Sequence, residues 1–145
     1  MDQNKNAGNT PSHTNGKKVD STKDIPDLDP SLVKSIIMEE TKMGTVAARG
    51  KNDAKQDIMQ ANVWYSNSSN DWNDSKKQFG LQKEGGASPS LSVHAGIGIL
   101  FQKGLRTTKS GTTFRGWNDA VKRYNGGGNP YYFEEVMNYF NNITK

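Results

Sequence analysis

The chain contains no cysteine and only two histidines, His13 and His94. Without cysteine there are no disulfides, thiolate-bound zinc sites, iron–sulfur clusters or thiol nucleophiles. Two imidazoles are too few for most histidine-based metal sites, so no metal and no cofactor is expected. A Ser–His–Asp triad would have to use His94, and no serine sits in a G-x-S-x-G setting. No apolar run approaches the roughly 20 residues of a membrane span, and no N-terminal apolar stretch reads as a signal peptide. Residues 1–24 lack aromatic residues, and their only apolar ones are Met1, Ala7 and Val19. Such a segment cannot bury enough surface to offset its ordering entropy. Residues 1–24 therefore read as a disordered tail or linker, and 25–145 as one folded domain.

What is present is mildly basic. The net charge is +4, and Lys103, Arg106, Lys109, Arg115, Lys122 and Arg123 are opposed only by Asp119 between residues 102 and 125. This suits either an anionic partner or an ordinary solvated face. The apolar residues follow helical spacing in several places. Asp29–Pro30 is a helix entry, a capping carboxylate followed by proline at the first position. Leu32, Val33, Ile36, Ile37 and Met43 then form a stripe that Gly44 ends. Residues 44–57 read as a loop, Ile58–Ala61 as one helical turn, and Asn67–Asp74 and Lys83–Pro89 as surface loops. Leu91, Val93, Ala95, Ile97 and Ile99 alternate as in a strand, but Ser88–Pro89 and Gly104 bracket the segment as a helix with close packing at Gly96 and Gly98. Phe114, Trp117, Ala120, Val121 and Tyr124 fit a further helix, ended at Asn125–Gly128. A last helix follows Asn129–Pro130, with Tyr132, Phe133, Val136, Met137 and Phe140 inward. The fold class expected is mainly α.

One residue contradicts its surroundings. On a wheel of about 100° per residue, Glu40 falls within about 20° of the centre of the first helix's apolar face. Glu39 falls at the edge of that face, roughly 80° away. A carboxylate among apolar residues is costly unless it is paired or neutral, and burial favours the neutral form. A glutamic acid kept protonated is the usual donor for cleaving a glycosidic bond. A buried glutamate can equally be a structural one that pairs with an arginine or caps a loop.

Four segments in order carry a resemblance. Leu28-Asp-Pro-Ser-Leu-Val-Lys-Ser-Ile-Ile-Met-Glu-Glu-Thr41 resembles the opening helix of the soluble lytic transglycosylase and goose-type lysozyme group, which ends in a catalytic Glu and a small hydroxyl residue. Asp57-Ile-Met-Gln60 is similar to that group's Gly-Leu-Met-Gln segment. Ser92-Val-His-Ala-Gly96 with Leu100 resembles its glycine-and-leucine segment, and Trp117-Asn-Asp-Ala-Val-Lys-Arg-Tyr-Asn-Gly126 its Ala-Ala-Tyr-Asn-Gly block. Two departures stand out. Asp57 replaces the usual glycine, and Asn62 stands where a goose-type lysozyme has a water-positioning aspartate. Asp53 lies near the position of another.

The resemblance implies a lysozyme-like helical domain with a cleft, acting on peptidoglycan glycan strands in the periplasm or cell wall. It implies Glu40 as the catalytic acid and base, with Gln60, Tyr124, Asn125 and Met59 contacting substrate. Each has a plainer alternative: Gln60 and Asn125 as loop and helix caps, Tyr124 as packing, Met59 as core. Trp64, Tyr65 and Trp72 read as core anchors before sugar platforms. The missing second carboxylate favours a lytic transglycosylase over a hydrolytic muramidase. Without a signal peptide, the chain reads as a delivered toxin, a phage lysin or a fragment of a larger exported protein, and a toxin would bring an immunity or inhibitor protein as partner. The expectation is a monomer with no nucleic-acid partner, although the basic stretch keeps a nucleic-acid-binding module as the competing class. A wall binder without catalysis is the third.

Overall fold

The computed structural model describes residues 25–46, 53–64, 71–83, 85–126 and 128–144. The expected tail, 1–24, lies outside them. Among the described residues the chain forms five helices and one two-stranded hairpin. They are α1 (Pro30–Thr41), α2 (Asp71–Gln78), α3 (Pro89–Lys103), β1 (Leu105–Thr108), β2 (Gly111–Phe114), α4 (Trp117–Tyr124) and α5 (Tyr132–Ile143).

Helix α1 begins as its sequence dictates. The Asp29 carboxylate accepts the Ser31 N–H at 2.8 Å, and Pro30 holds the first position, where no N–H is needed. It ends in a run of left-handed backbone at Lys42 (φ 52°), Met43 (φ 58°) and Gly44 (φ 86°). The Lys42 N–H closes on the carbonyls of Ile37 and Met38. Leu32, Val33, Ile36 and Ile37 are buried, and α1 packs most extensively on α5.

Helix α3 settles the ambiguous stretch in favour of helix. Ser88 caps it by accepting the Leu91 N–H at 3.2 Å, with Pro89 behind it. The alternating apolar residues do not make a strand because both sides of the helix are covered. Leu100 and Phe101 enter the larger core with Ile36, Met59, Val121 and Val136, while Ala95 and Ile99 enter a smaller one with Ala61 and Leu81.

Two expectations are corrected. Residues 71–74, expected in a surface loop, open α2, which packs on α3. Phe114 belongs to a strand rather than to the fourth helix, whose first residue is Trp117. The hairpin pairs Leu105 with Phe114 and Thr108 with Gly111. Its cause is local: four threonines favour extended backbone, and Gly111 (φ 130°) supplies the conformation that the turn requires. Phe114 then stacks on Phe101 at 5.0 Å and meets Trp117 edge-on at 4.7 Å. The Trp117 indole N–H donates to Pro26 O at 2.8 Å, tying α4 to the segment before α1.

Helix α2 also brings a charge inside. Lys76 is buried and donates to Val63 O, and burial, reinforced by Lys103, lowers its pKa to about 8.

Gly96 is where α3 meets the 57–60 turn. A Cβ built there would lie 2.6 Å from Met59 Sδ and 3.1 Å from Met59 Cβ. Met59 is fully buried and cannot swing away. Alanine at 96 would gain up to about 1 kcal/mol of helix propensity but overpack by about 1–3 kcal/mol. Gly96→Ala is therefore expected to lower the unfolding free energy by about 1–2 kcal/mol in urea titration.

Candidate functional site

The four segments singled out by sequence meet at one place, the turn of residues 57–62. Its anchor is Asp57, only 2% exposed. One carboxylate oxygen accepts from the Ala61 N–H (2.8 Å) and the Ser92 hydroxyl (2.6 Å), the other from the Asn62 N–H (2.8 Å). The Ser92 hydroxyl in turn accepts the Met59 N–H at 2.9 Å. A buried carboxylate is tolerated only with such donors. The departure from glycine at Asp57 has no strain to relieve. The left-handed residue of this turn is Gln60 (φ 50°), not Asp57.

Helix α1 reaches the same turn through Thr41. Its hydroxyl donates to Ile58 O at 2.8 Å and accepts the Gly44 N–H at 3.0 Å. Helix α4 reaches it through Tyr124, whose hydroxyl donates to Met59 O at 2.8 Å. Helix α3 contributes Ser92 and the Gly96 contact. The Glu40–Thr41 pair is thereby fixed beside the Asp57–Gln60 turn.

Glu40 is half-buried at the end of α1. Its Oε2 accepts the hydroxyl of Tyr132 from α5 at 2.7 Å. Tyr132 was expected only as core, and sequence spacing gives no sign of this contact across 92 positions. The phenol sits at 4% exposure, and burial, then Glu40, push its pKa well above its ordinary value. It stays a neutral donor.

Glu39 does not turn to solvent as the wheel suggests. It is half-buried and shares a hydrogen bond with Glu135 of α5. Burial, then this bond and the charge of Glu135, raise its pKa from 4.5 to about 7. Glu135 is held below its ordinary value by the bond to Glu39 and by the Asn129 amide, which donates to it at 2.8 Å.

The remaining candidates are placed as follows. Met59 is wholly in the larger core. The Gln60 amide donates to Asp57 O at 2.9 Å, capping its own turn. The Asn125 amide oxygen, oriented toward the loop, accepts from Asn129 N (2.7 Å) and Gly128 N (3.2 Å), closing the α4–α5 connection. Trp64 is half-buried and donates to the Asn62 side chain. Trp72 lies on α2, and Tyr65 falls outside the described residues. A cavity of about 360 Å³ is lined by Asp53, Gln56, Asp57, Asn62 and residues 85–88. Glu40 is not among its described lining residues. No cluster of three or more His, Asp or Glu suited to a metal occurs among the described residues, nor a helix long and apolar enough to cross a membrane. The basic residues Arg106, Lys109, Arg115, Lys122 and Arg123 are exposed on the hairpin, α4 and the link between them. A scan against family models, a search of curated proteins and a search of solved structures each find no match.

The Glu39–Glu135 pair makes stability depend on pH. The folded pKa of Glu39, about 7, exceeds its ordinary 4.5, so the folded state holds that proton more tightly. Its contribution is full below 4.5 and is lost as pH rises to about 7. The lowered pKa of Glu135 acts oppositely, but at more acidic pH, below its ordinary 4.5. Glu39→Gln keeps a donor for Glu135 without titrating. The melting temperature of the unsubstituted chain is therefore expected to fall relative to Glu39→Gln across that window. A constant difference between the two melts would contradict the pairing.

Proposed function

We propose that this chain cleaves the β-1,4 bond between N-acetylmuramic acid and N-acetylglucosamine in bacterial peptidoglycan. In this reading it is a lysozyme-like lytic transglycosylase that acts in the periplasm or cell wall. The observation that carries the reading is the convergence at the 57–62 turn of the four segments that resemble that group. The Glu40–Thr41 end of α1, the Asp57–Gln60 turn, Ser92 and Gly96 of α3, and Tyr124 of α4 are joined there by direct contacts.

The chemistry needs one carboxyl group. Glu40 is placed at the C-terminal end of α1, where aligned backbone carbonyls disfavour an anion, and is half-buried between α1 and α5. As the neutral acid it gives its proton to the glycosidic oxygen while the bond to the anomeric carbon breaks. The acetamido oxygen of the muramic acid stabilises the positive charge that develops there. Glu40, now a carboxylate, takes the proton of the sugar's 6-hydroxyl, and that oxygen bonds to the anomeric carbon. The product carries a 1,6-anhydro end, and Glu40 regains its starting form.

Hydrolysis is the second reading, and Asp53 is the residue that favours it. Asp53 lines the same cavity as Asp57 and Asn62. Asp57 is engaged by three donors, and an asparagine at 62 cannot remove a proton from water. A muramidase would thus depend on Asp53, which is exposed and accepts the Lys55 N–H at 3.0 Å. Intramolecular attack needs no held water and gains from proximity.

Three variants and one mass measurement test the reading on purified peptidoglycan. Glu40→Gln is expected to fold and to lose nearly all cleavage, while Glu39→Gln and Asp53→Asn keep most of it. Released muropeptides should end mainly in anhydromuramic acid, one water lighter than the hydrated form. Hydrated ends, together with loss of activity in Asp53→Asn, would replace the transglycosylase with a muramidase. Equal loss in Glu39→Gln and Glu40→Gln, both folded, would overturn the assignment of the acid.

A further inference from the structure

We infer that the outer face of the hairpin and α4 docks a flexible phosphodiester polyanion, and that the occupant is a polyol-phosphate polymer of the bacterial cell wall. The choice of a wall polymer rests on the peptidoglycan reading; the face itself uses no residue of the Glu40 site.

The fold sorts the cations that cluster in sequence between residues 102 and 125. Lys103 is half-buried in α3, and burial lowers its pKa. Arg106, Lys109, Arg115, Lys122 and Arg123 stay exposed. Arg106 follows Leu105 on β1. The Arg115 guanidinium donates to Leu105 O at 3.0 Å and its backbone N–H to Gly104 O at 2.8 Å, which fixes it beside that strand. Arg123 comes from the outer side of α4, away from the buried Trp117, Ala120 and Val121. Burial and then the charge of Arg123 lower the Arg115 pKa; Asp119 offsets part of this, and Arg106 adds to it. The three guanidinium groups are thus near enough to repel one another. Holding like charges together costs stability, and an anion laid across them removes that cost.

The Trp117 indole ties the hairpin end of α4 to Pro26, at the entry of α1. Glu40 stands at the other end of that 12-residue helix, about 18 Å along at 1.5 Å per residue. The hairpin end of the face therefore holds a ligand apart from Glu40.

The chemistry beside the charges narrows the occupant. Thr107, Thr108, Ser110 and Thr113 are exposed around Arg106 and Lys109, so the face offers hydroxyl and guanidinium donors for phosphate oxygens. Among the described residues the large apolar ones that are exposed are Met43, Val46, Tyr131 and Ile143, none of them on the hairpin or α4. A protein partner needs an apolar or aromatic core to its interface, a membrane surface an apolar anchor, and a single-stranded nucleic acid a ring to stack on. The rings here turn inward: Phe114 stacks on Phe101 and meets Trp117. The same packing lays the hairpin on the domain, with Leu105 and Thr112 buried, so it does not project as a ribbon into a DNA groove. A polyol-phosphate chain asks only for phosphate contacts.

Equilibrium binding of the full chain to poly(glycerol phosphate), followed against salt, tests the inference. On logarithmic axes the affinity is expected to fall by about 0.7 per phosphate neutralised, a slope of about −2 to −3.5 for about three to five contacts. Arg106→Gln with Arg123→Gln should weaken binding about tenfold or more at low salt and make the slope shallower by about 1.4. Lys34→Gln with Lys55→Gln, at exposed positions off this face, removes the same charge and should change affinity by less than about twofold. Asp119→Asn should tighten binding about threefold, a gain that unfolding cannot produce. Equal losses in the two double variants overturn the face, since net charge alone would explain them, and so does an Asp119→Asn variant that binds no tighter. Tighter binding to duplex DNA or to phosphatidylglycerol vesicles than to poly(glycerol phosphate) at equal salt overturns the occupant. On cell walls, Glu40→Gln should bind as the unsubstituted chain does, and both should bind walls stripped of phosphate polymer about tenfold more weakly. Binding to the polymer by a chain that cleaves no peptidoglycan sinks the proposed function and still supports the face. Cleavage without polymer binding does the reverse.

Discussion

The rest of the arrangement depends on the Asp57 carboxylate and its three donors. A buried charge without partners would cost several kcal/mol, so the backbone of residues 59–62 is bent to supply N–H groups, and α3 supplies a hydroxyl. The cost of burying Asp57 is thus converted into geometry. With the turn fixed, Met59 and Ile58 present carbonyls at defined positions, and two side chains from distant helices end on them. Thr41 and Tyr124 each donate to one of these carbonyls at 2.8 Å. Helices α1 and α4 are therefore positioned against a common turn as well as through apolar contact. The residue before Thr41 is Glu40, whose placement is a by-product of that lock.

Adjacent glutamates in α1 meet different partners for reasons of helical geometry. Successive residues point about 100° apart, so both side chains can face α5 at different heights. Glu40 meets a neutral hydroxyl, which can donate to it in either protonation state and favours the carboxylate. Glu39 meets another carboxyl group, and two neighbouring carboxylates cannot both ionise without penalty. The group whose pKa rises to about 7 is thus the one at the edge of the apolar stripe. Desolvation is the largest contributor to that rise, but the second carboxyl group distinguishes Glu39 from an ordinary half-buried glutamate. A raised pKa alone therefore does not identify the acid. In the proposed reaction the candidate acid is the carboxyl group beside Thr41 and the 57–62 turn, not the one that merely retains its proton.

Sequence pattern reached the elements whose signals are local. Asp29–Pro30 and Ser88–Pro89 mark helix starts because capping needs only neighbouring residues. Gly96 and Gly98 mark close approach, with the Phe79 ring 2.5 Å from where a Cβ on Gly98 would sit. The hairpin was missed because Phe114, Trp117, Ala120, Val121 and Tyr124 fit a helical period that continues across a strand. The threonines at 107, 108, 112 and 113 were the available signal, since branching at Cβ favours extended backbone. Helix α2 was missed for the opposite reason: DWNDSKKQ offers almost no apolar period, and its place comes from packing on α3. At the site, the motif order named Glu40, Gln60 and Tyr124 but not Tyr132. That contact joins residues 92 positions apart, and Tyr132 satisfies the core pattern equally well.

The two phenols show why residue type and spacing alone leave a tyrosine's hydrogen-bond acceptor undetermined. Tyr124 lies inside the segment that resembles a known motif, and Tyr132 outside it. Both are tyrosines on apolar helix faces, and each gives its single proton to one acceptor. Tyr124 gives it to a backbone carbonyl, which does not titrate and cannot leave, so that bond is architectural. Tyr132 gives it to a carboxyl oxygen, a group that can gain or lose charge, so its contribution varies with the state of its partner. Exchanging those acceptors would leave composition, helix pattern and core burial unchanged while removing the hold on Glu40. What distinguishes a phenol bonded to an invariant acceptor from one whose bond varies with charge is therefore the titratability of the acceptor, a property fixed only when α1 and α5 come together.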